Sequence, residues 1–223
     1  MDKHTRVAFV TGASRGIGKA IADRLRGEYE ILSPTRNELD LRSDESIERF
    51  IAAHRGAPID VIVNNAGINE PEFVDTLTDQ NIKDTFQVNL VAPIKLIRGF
   101  VGGMKQRHCG RIINIASMFG IVGRGKQSLY TGSKAGIIGV TKALALELAE
   151  YNILVNAICP GFVDTDLTRR NTPEKNSELE KLVPLGRFAD AKEIAELVAF
   201  LVSEKNTYIT GEAIVIDGGF TSR

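Results

Sequence analysis

Short runs of apolar residues alternate along the chain with longer segments in which apolar residues recur every three or four positions. The short runs predict β-strands and the longer segments predict helices. The predicted strands are Arg6–Thr11, Glu30–Ser33, Asp60–Asn64, Arg111–Ser117, Leu154–Cys159 and Ala213–Asp217. The predicted helices lie near 16–26, 43–54, 78–103, 130–150 and 190–203.

Several predicted strands are apolar at successive positions, as in "VIVNN", "IINIAS" and "AIVID". Such strands are buried on both faces, which is typical of parallel sheets covered by helices. We therefore predict an α/β fold: a doubly wound, mostly parallel sheet of about six to seven strands with helices on both faces. With 223 residues, the chain fits one domain spanning 1–223.

Ligands of such sheets bind beyond the carboxyl ends of the strands, so those ends are where we expect the chemistry. They contain small, polar and turn-forming residues in "TGASRGIG", "SPTR", "NNAG", "SMFG" and "PGFVDTD". The segment Asp164–Phe188 is polar and charged, and it is either a substrate lid or an exposed connection.

Composition excludes several classes of function. Twenty-eight basic residues balance 28 acidic ones, so no net charge favours nucleic acid or an anionic membrane. No window is apolar enough to span a membrane, and the first apolar run is too short for a signal peptide. Two cysteines and three scattered histidines predict neither a disulfide scaffold nor a metal site, so we expect a cytoplasmic protein.

The stretch "TGASRGIG" follows the first predicted strand and begins a helix. Gly12, Gly16 and Gly18 allow a tight turn and a close approach of the backbone to a phosphate. The free N–H groups and the positive dipole at the helix N-terminus then suit a pyrophosphate.

In "YTGSKAG", Tyr130 stands one helical turn before Lys134 among small residues, so both side chains lie on one face. A free tyrosine has a pKa near 10 and is a poor base at neutral pH. We expect the Lys134 ammonium to lower the pKa of Tyr130. A shift of about 3 units corresponds to roughly 4 kcal/mol. Tyr130 would then exchange a proton with a carbonyl or alcohol oxygen.

These motifs, together with "NNAG", Ser117, Pro160–Gly161 and the terminal "ITGEAIVIDGGF", resemble the short-chain dehydrogenase/reductase family. The resemblance extends from Val7 to Phe220 and is strongest to the branch of 3-oxoacyl-[acyl-carrier-protein] reductases. It implies a Rossmann-type domain that binds NAD(P). It also implies the catalytic set Asn89, Ser117, Tyr130 and Lys134.

The same resemblance implies which residues bind the cofactor. They are Gly12, Ser14, Arg15, Gly16, Ile17, Gly18, Arg36, Asp40, Leu41, Asn65, Ala66, Gly67, Tyr130, Lys134, Val163 and Thr165. Because "ILSPTR" has no carboxylate for a ribose 2′-hydroxyl while Arg15 and Arg36 suit a 2′-phosphate, NADP(H) is favoured over NAD(H). The stretch from Ser33 to Asp40 departs from the family, because it is too short for the usual helix and third strand.

The resemblance therefore implies an oxidoreductase that transfers hydride between NADP(H) and a ketone or secondary alcohol. The substrate is a small molecule or an acyl thioester, and a homotetramer or homodimer is expected. The alternative is a dinucleotide-binding sensor or scaffold without catalysis, since one fold serves several functions. The basic residues near Lys105 could meet an acidic carrier protein or could form an ordinary charged helix end.

Overall fold

The computed structural model describes residues 6–166 and 168–222, without the side chain of Arg170, so residues 1–5, 167 and 223 of the predicted domain lie outside it. The strands, in chain order, are β1 (Val7–Val10), β2 (Glu30–Leu32), β3 (Ile59–Asn64), β4 (Gly110–Ile115), β5 (Ile153–Pro160), β6 (Val163–Asp164), β7 (Ala189–Asp190) and β8 (Ala213–Ile216). The helices are α1 (Gly16–Leu25), α2 (Asp44–Ala53), α3 (Asp79–Phe86), α4 (Ala92–Arg107), α5 (Ser128–Leu148), α6 (Pro173–Lys181) and α7 (Ala191–Val202).

Within the described part of the chain, the central sheet has six strands in the order β2-β1-β3-β4-β5-β8. All neighbouring strands of this sheet are parallel. The order reverses at β1, because β2 lies on one side of it and β3 on the other. The predicted doubly wound α/β sheet is confirmed. The parallel pair of β6 and β7 forms a second, two-stranded sheet that the sequence patterns did not predict.

Successive side chains of the buried strands point into two cores on opposite faces of the sheet. In β1, Ala8 and Val10 pack in the core that includes Ile21 of α1. Phe9 points to the other core, where it lies 5.5 Å from Phe50 of α2 between ring centroids. This alternation explains why β1 is apolar at every position and why helices cover both faces.

The missing strand and helix after β2 leave β2 at the edge of the sheet. The chain turns instead through the Ser33–Asp40 stretch, where the backbone N–H and the hydroxyl of Thr35 donate to Glu38 Oε2 at 2.7 and 2.9 Å. Leu39 is buried in the core, and Ser43 then caps α2. The predicted shortening is therefore present and is closed by a local hydrogen-bonded turn.

The helix predicted near 78–103 is divided in the structure. It consists of α3, a π-helical turn at Gln87–Val91 and α4, which extends to Arg107. Such turns with i→i+5 hydrogen bonds frequently occur at functional sites. The helix predicted to begin at Tyr130 begins two residues earlier, at Ser128, so Tyr130 lies in its first turn.

The Asp164–Phe188 segment contains secondary structure of its own. A 3-10 turn at Thr168–Arg170 is followed by α6, whose N-cap Thr172 accepts a hydrogen bond from the Lys175 N–H. Thr165 lies next to the turn after β1, since a Cβ added to Gly16 would be 3.4 Å from Thr165 Cγ2. The segment therefore covers part of the edge formed by the carboxyl ends of the strands.

Candidate functional site

The turn after β1 requires glycine at two positions. Gly12 has a φ of +68°, in the left-handed region, and a Cβ on Gly18 would lie 2.3 Å from the Gly12 carbonyl oxygen. Helix α1 begins at Gly16, and its N-cap residue Arg15 makes no side-chain cap hydrogen bond. The N–H groups of the first turn are therefore not capped by this side chain, and no acidic residue lies there. This cradle fits an anionic group such as a phosphate.

The "NNAG" segment after β3 is fixed against this glycine turn. Asn65 Nδ2 donates to the carbonyl oxygens of Thr11 and Gly12 at 2.9 and 3.2 Å. In return, Thr11 Oγ1 accepts from the N–H groups of Asn65 and Ala66 at 3.0 and 3.1 Å. These bonds connect the ends of β1 and β3, which are neighbours in the sheet. The predicted residues Gly12, Asn65 and Ala66 are therefore brought together.

Lys134 is buried at the centre of the site, with only 4% of its surface exposed. Its Nζ donates to the Ile115 carbonyl oxygen at 2.7 Å and lies 5.6 Å from the centroid of the Tyr130 ring. Burial lowers the pKa of Lys134 to about 8, and the neighbouring Cys159 acts in the opposite direction. A Cβ on Gly67 would lie 3.4 Å from Nζ, so the "NNAG" segment contacts the amine.

The side chains of Ser117 and Tyr130 lie close enough for the Ser117 hydroxyl to act on the pKa of the phenol. Ser117 lies just beyond β4, and its hydroxyl also accepts a hydrogen bond from the Phe119 N–H at 3.1 Å. Burial raises the pKa of Tyr130, and the interaction with the Ser117 hydroxyl acts in the opposite direction. The expectation that Lys134 lowers this pKa is wrong for the structure described. Removing the phenolate from water outweighs the other contributions, and the ammonium of Lys134 is directed to a carbonyl oxygen.

Asn89 occupies the π-helical turn, and its buried side chain joins two parts of the site. Its Oδ1 accepts from the Ile68 N–H at 2.9 Å, and its Nδ2 donates to the Ile68 carbonyl oxygen at 2.9 Å. The same Nδ2 donates to Ser133 Oγ at 3.1 Å, and Ser133 Oγ donates to the Tyr130 carbonyl oxygen at 2.8 Å. Asn89 thus connects the segment after "NNAG" to helix α5.

Two residues that the sequence analysis did not select are also part of the site. Cys159 of β5 is fully buried next to Lys134, and burial raises the pKa of its thiol to about 11. Gln127 precedes Tyr130 by three residues, is buried, and has no hydrogen-bond partner for Oε1 in the described structure. The helical spacing of Gln127 and Tyr130 could have indicated Gln127. Only the sheet register positions Cys159.

The residues expected to select the cofactor lie on the surface after β2 and in the glycine turn. Arg36 forms an ion pair with Asp40 in which Nη2 and Oδ2 are 3.7 Å apart, with 69% and 38% of the two side chains exposed. Asp40 Oδ1 accepts one hydrogen bond from the Arg42 N–H, and the Asp40 N–H donates to Ser46 Oγ. Arg15 is exposed, and Leu41 packs against the core.

The remaining predicted cofactor residues surround the same edge. Val163 is buried in β6, and its carbonyl oxygen accepts from Thr168 Oγ1 at 2.9 Å. The N–H of Thr165 donates to the same hydroxyl at 2.9 Å. Ser14 is exposed, whereas Ile17 packs against the core beside α1.

The basic residues near the end of α4 are largely paired. Lys105 lies 3.5 Å from Glu147, and Arg107 lies 3.6 Å from Asp60. Within the residues that the structure describes, no group of three or more acidic, cysteine or histidine side chains could hold a metal ion. The same residues contain no helix that is both long and apolar enough to cross a membrane.

Comparison with known proteins adds a family to this geometry. The profile of the family described as "Enoyl-(Acyl carrier protein) reductase" matches residues 29–221. The 3-oxoacyl-[acyl-carrier-protein] reductase FabG of Vibrio cholerae is 37% identical over 240 residues, covering 98% of each chain. The corresponding FabG of Escherichia coli is 38% identical over 241 residues, again with 98% of each chain covered.

Solved structures agree with these sequence relatives. One is a Beutenbergia cavernae protein assigned as an NAD(P)-dependent gluconate 5-dehydrogenase, which was solved with NADP at low occupancy. It superposes with a TM-score of 0.91 at 30% identity, and the match covers 98% of this chain and 97% of that one. The NADPH-dependent reductase YwfH, involved in bacilysin biosynthesis, superposes with a TM-score of 0.89 at 28% identity. The match covers 99% of this chain and 100% of that one. The chain therefore belongs to the short-chain dehydrogenase/reductase family, in its 3-oxoacyl-[acyl-carrier-protein] reductase-like branch.

Proposed function

We propose that the protein transfers hydride between NADP(H) and a ketone or secondary alcohol. The observation that carries this proposal is the grouping of Ser117, Tyr130 and Lys134 beyond the carboxyl end of β4. The Ser117 hydroxyl is close enough to act on the pKa of Tyr130, and the Lys134 amine lies 5.6 Å from the Tyr130 ring centroid. These are the groups that a carbonyl reduction needs, since a proton must reach the oxygen as its negative charge develops.

In this proposal Tyr130 is the general acid for reduction and the general base for oxidation. Its raised pKa keeps the phenol protonated at neutral pH, which suits donation of a proton to a carbonyl oxygen. Ser117 donates a second hydrogen bond to the same oxygen and orients it. Lys134 supplies positive charge beside the phenol, and Asn89 positions the helix turn that carries Tyr130 through Ser133.

The cofactor supplies or accepts the hydride when bound. The cradle formed by Gly12, Gly16 and Gly18 has the uncapped N–H groups and the close backbone approach that suit the pyrophosphate. The other proposed contacts are Ser14, Arg15, Ile17, Arg36, Asp40, Leu41, Asn65, Ala66, Gly67, Val163 and Thr165.

Preference for NADP(H) over NAD(H) is supported by the charges after β2. Leu32 ends this strand, and the next two acidic residues along the chain are already engaged: Glu38 by Thr35, and Asp40 by Arg36. The bonds from Thr35 lower the pKa of Glu38, so its carboxylate is satisfied within the turn. Arg36 and Arg15 remain exposed and suit a 2′-phosphate. One structural neighbour was solved with NADP and another is described as NADPH-dependent.

Two features of the protein's setting are part of the proposal. The FabG relatives indicate that an acyl thioester is one substrate class to test beside small ketones. A cytoplasmic homotetramer, or homodimer, is proposed from the family resemblance. Exposed apolar side chains agree with assembly, since Leu146 of α5 is 84% exposed and Tyr208 is 95% exposed.

The test is turnover of acetoacetyl-coenzyme A and a panel of ketones with NADPH or NADH, followed by the nicotinamide absorbance. Tyr130→Phe should lower kcat by at least ~10²-fold, the scale of general acid–base catalysis, while cofactor affinity is retained. Tyr151→Phe is the matched control, because Tyr151 contacts Lys105 and His108 away from the site. A wild-type protein that binds the dinucleotide but turns over no ketone would favour a sensor and refute the proposal.

A further inference from the structure

Four phenylalanines from separate segments form a cluster beside Ser117. We call them the phenylalanine cluster: Phe119, Phe162, Phe188 and Phe220. The Phe162 ring lies 5.5 to 6.1 Å from the other three rings between centroids. The cluster adjoins the reacting groups, because the Phe119 N–H donates to Ser117 Oγ at 3.1 Å.

Arg124 covers this cluster. Its guanidinium carbon is 5.1 Å from the Phe119 ring centroid and 5.6 Å from that of Phe162. The residue lies between Ser117 and Tyr130 along the chain, and its side chain is exposed. The described structure contains no ion pair and no side-chain hydrogen bond of Arg124. By contrast, Arg169 and Arg187 near the same edge pair with Asp164 and Glu193 at 2.9 and 2.8 Å.

A guanidinium attracted to the faces of aromatic rings is less free to move. Less conformational entropy is therefore lost when its N–H groups bind a ligand. Its two parallel N–H donors match the two oxygens of a carboxylate. Phe119 links Arg124 to the reacting groups, because its ring contacts the Arg124 guanidinium and its N–H donates to the Ser117 hydroxyl.

We propose that Arg124 binds a carboxylate of the substrate, so that the preferred substrates are oxo acids and the corresponding hydroxy acids. The carboxylate would be separated from the ketone carbon by a short chain that lies on the phenylalanine cluster. This inference rests on the proposed reductase function and names the substrate class of the same site. The simpler role for Arg124, covering apolar rings at the surface, requires no such preference.

The experiment compares matched pairs of ketones with the full protein and NADPH. The pairs are 3-oxobutanoate, 4-oxopentanoate and 5-oxohexanoate, each with its methyl ester. For each pair the quantity measured is the ratio of kcat/KM for the acid to kcat/KM for the ester, so general effects on folding or hydride transfer cancel. Arg124→Gln should lower the largest of these ratios about 10-fold or more at low salt, and added salt should shrink the difference.

Two further variants separate a specific contact from general attraction. Arg124→Lys keeps the charge without the paired donors, so it should lower the ratio by less than Arg124→Gln does. Lys126→Gln removes a positive charge two residues from Arg124. The Lys126 Nζ contacts a different ring, 4.2 Å from the Phe73 ring centroid. This control should change the ratio by less than about twofold, as is usual for an exposed charge.

Several outcomes would overturn the inference. A ratio that Arg124→Gln leaves unchanged for all three pairs would mean that Arg124 only covers the rings. Equal effects of the Arg124 and Lys126 variants would indicate general electrostatic attraction. If Arg124→Gln loses turnover of acetoacetyl-coenzyme A without a change in the acid-to-ester ratios, Arg124 binds a phosphate of the coenzyme A and not a substrate carboxylate. In each of these cases ketone reduction itself persists, whereas a protein inactive on every ketone and thioester would refute the proposed function as well.

Discussion

Replacing Lys134 with methionine tests the electrostatics of the site through protein stability. The Lys134 amine is buried, and its pKa is lowered from 10.5 to about 8. Between those two values the unfolded chain holds a proton that the folded protein has released, so the free energy of unfolding must rise with pH. Below pH 8 both states are protonated and the cost of the buried charge is fully present. Above pH 10.5 that cost is absent.

The magnitude follows from the pKa difference. A shift of about 2.5 units corresponds to about 3 kcal/mol at 1.36 kcal/mol per unit, and to a slope approaching 1.4 kcal/mol per pH unit within the window. Lys134→Met lacks this dependence. It also leaves the Ile115 carbonyl oxygen without its donor, which adds a destabilisation of about 1–3 kcal/mol that does not depend on pH.

The assay is urea unfolding of both proteins, followed by far-ultraviolet circular dichroism at several pH values and at one protein concentration. The quantity to plot is the free energy of unfolding of the wild type minus that of Lys134→Met, because groups whose pKa does not depend on Lys134 cancel. This difference should rise by about 3 kcal/mol between pH 8 and pH 10.5. Lys142→Met is the matched control, since Lys142 is exposed on the same helix. A difference that stays flat across the window would show that the amine is not desolvated.

Two other variants test the cofactor cradle and the choice of cofactor. Arg36→Ala should weaken NADPH binding about 10-fold more than NADH binding in fluorescence titrations, since the exposed Arg36 side chain would lose a charge-assisted contact to the 2′-phosphate. If the affinities for both cofactors fall equally, Arg36 only supports the loop through its ion pair with Asp40. Gly18→Ala places a Cβ 2.3 Å from the Gly12 carbonyl oxygen, so it should cost about 1–3 kcal/mol and lower Tm and dinucleotide affinity together. Gly27→Ala, whose Cβ would meet no atom within 4 Å, is the control that should keep both, and a Gly18 variant that matches it would argue against the close approach.

Local spacing was sufficient to predict much of this protein. Alternation of strands and helices gave the α/β class, and the i to i+4 spacing of Tyr130 and Lys134 placed both on α5. The glycine turn could likewise be predicted. A Cβ on Gly12 or Gly18 would clash with atoms that are nearby in sequence or at the end of the adjacent strand. The short stretch after Ser33 already indicated the missing strand, since too few residues remain to form one.

Other properties depend on which distant segments meet, and they were decided only by the tertiary structure. The strand register brings Cys159 of β5 next to Lys134, and the π-helical turn directs Asn89 to Ile68 and Ser133. The raised pKa of Tyr130 contradicts the expectation from its spacing to Lys134, because desolvation depends on everything packed around a side chain. The contact of Arg124 with rings from two separate segments is of the same kind, since no pattern along the chain encodes which segments converge at one edge of a folded sheet.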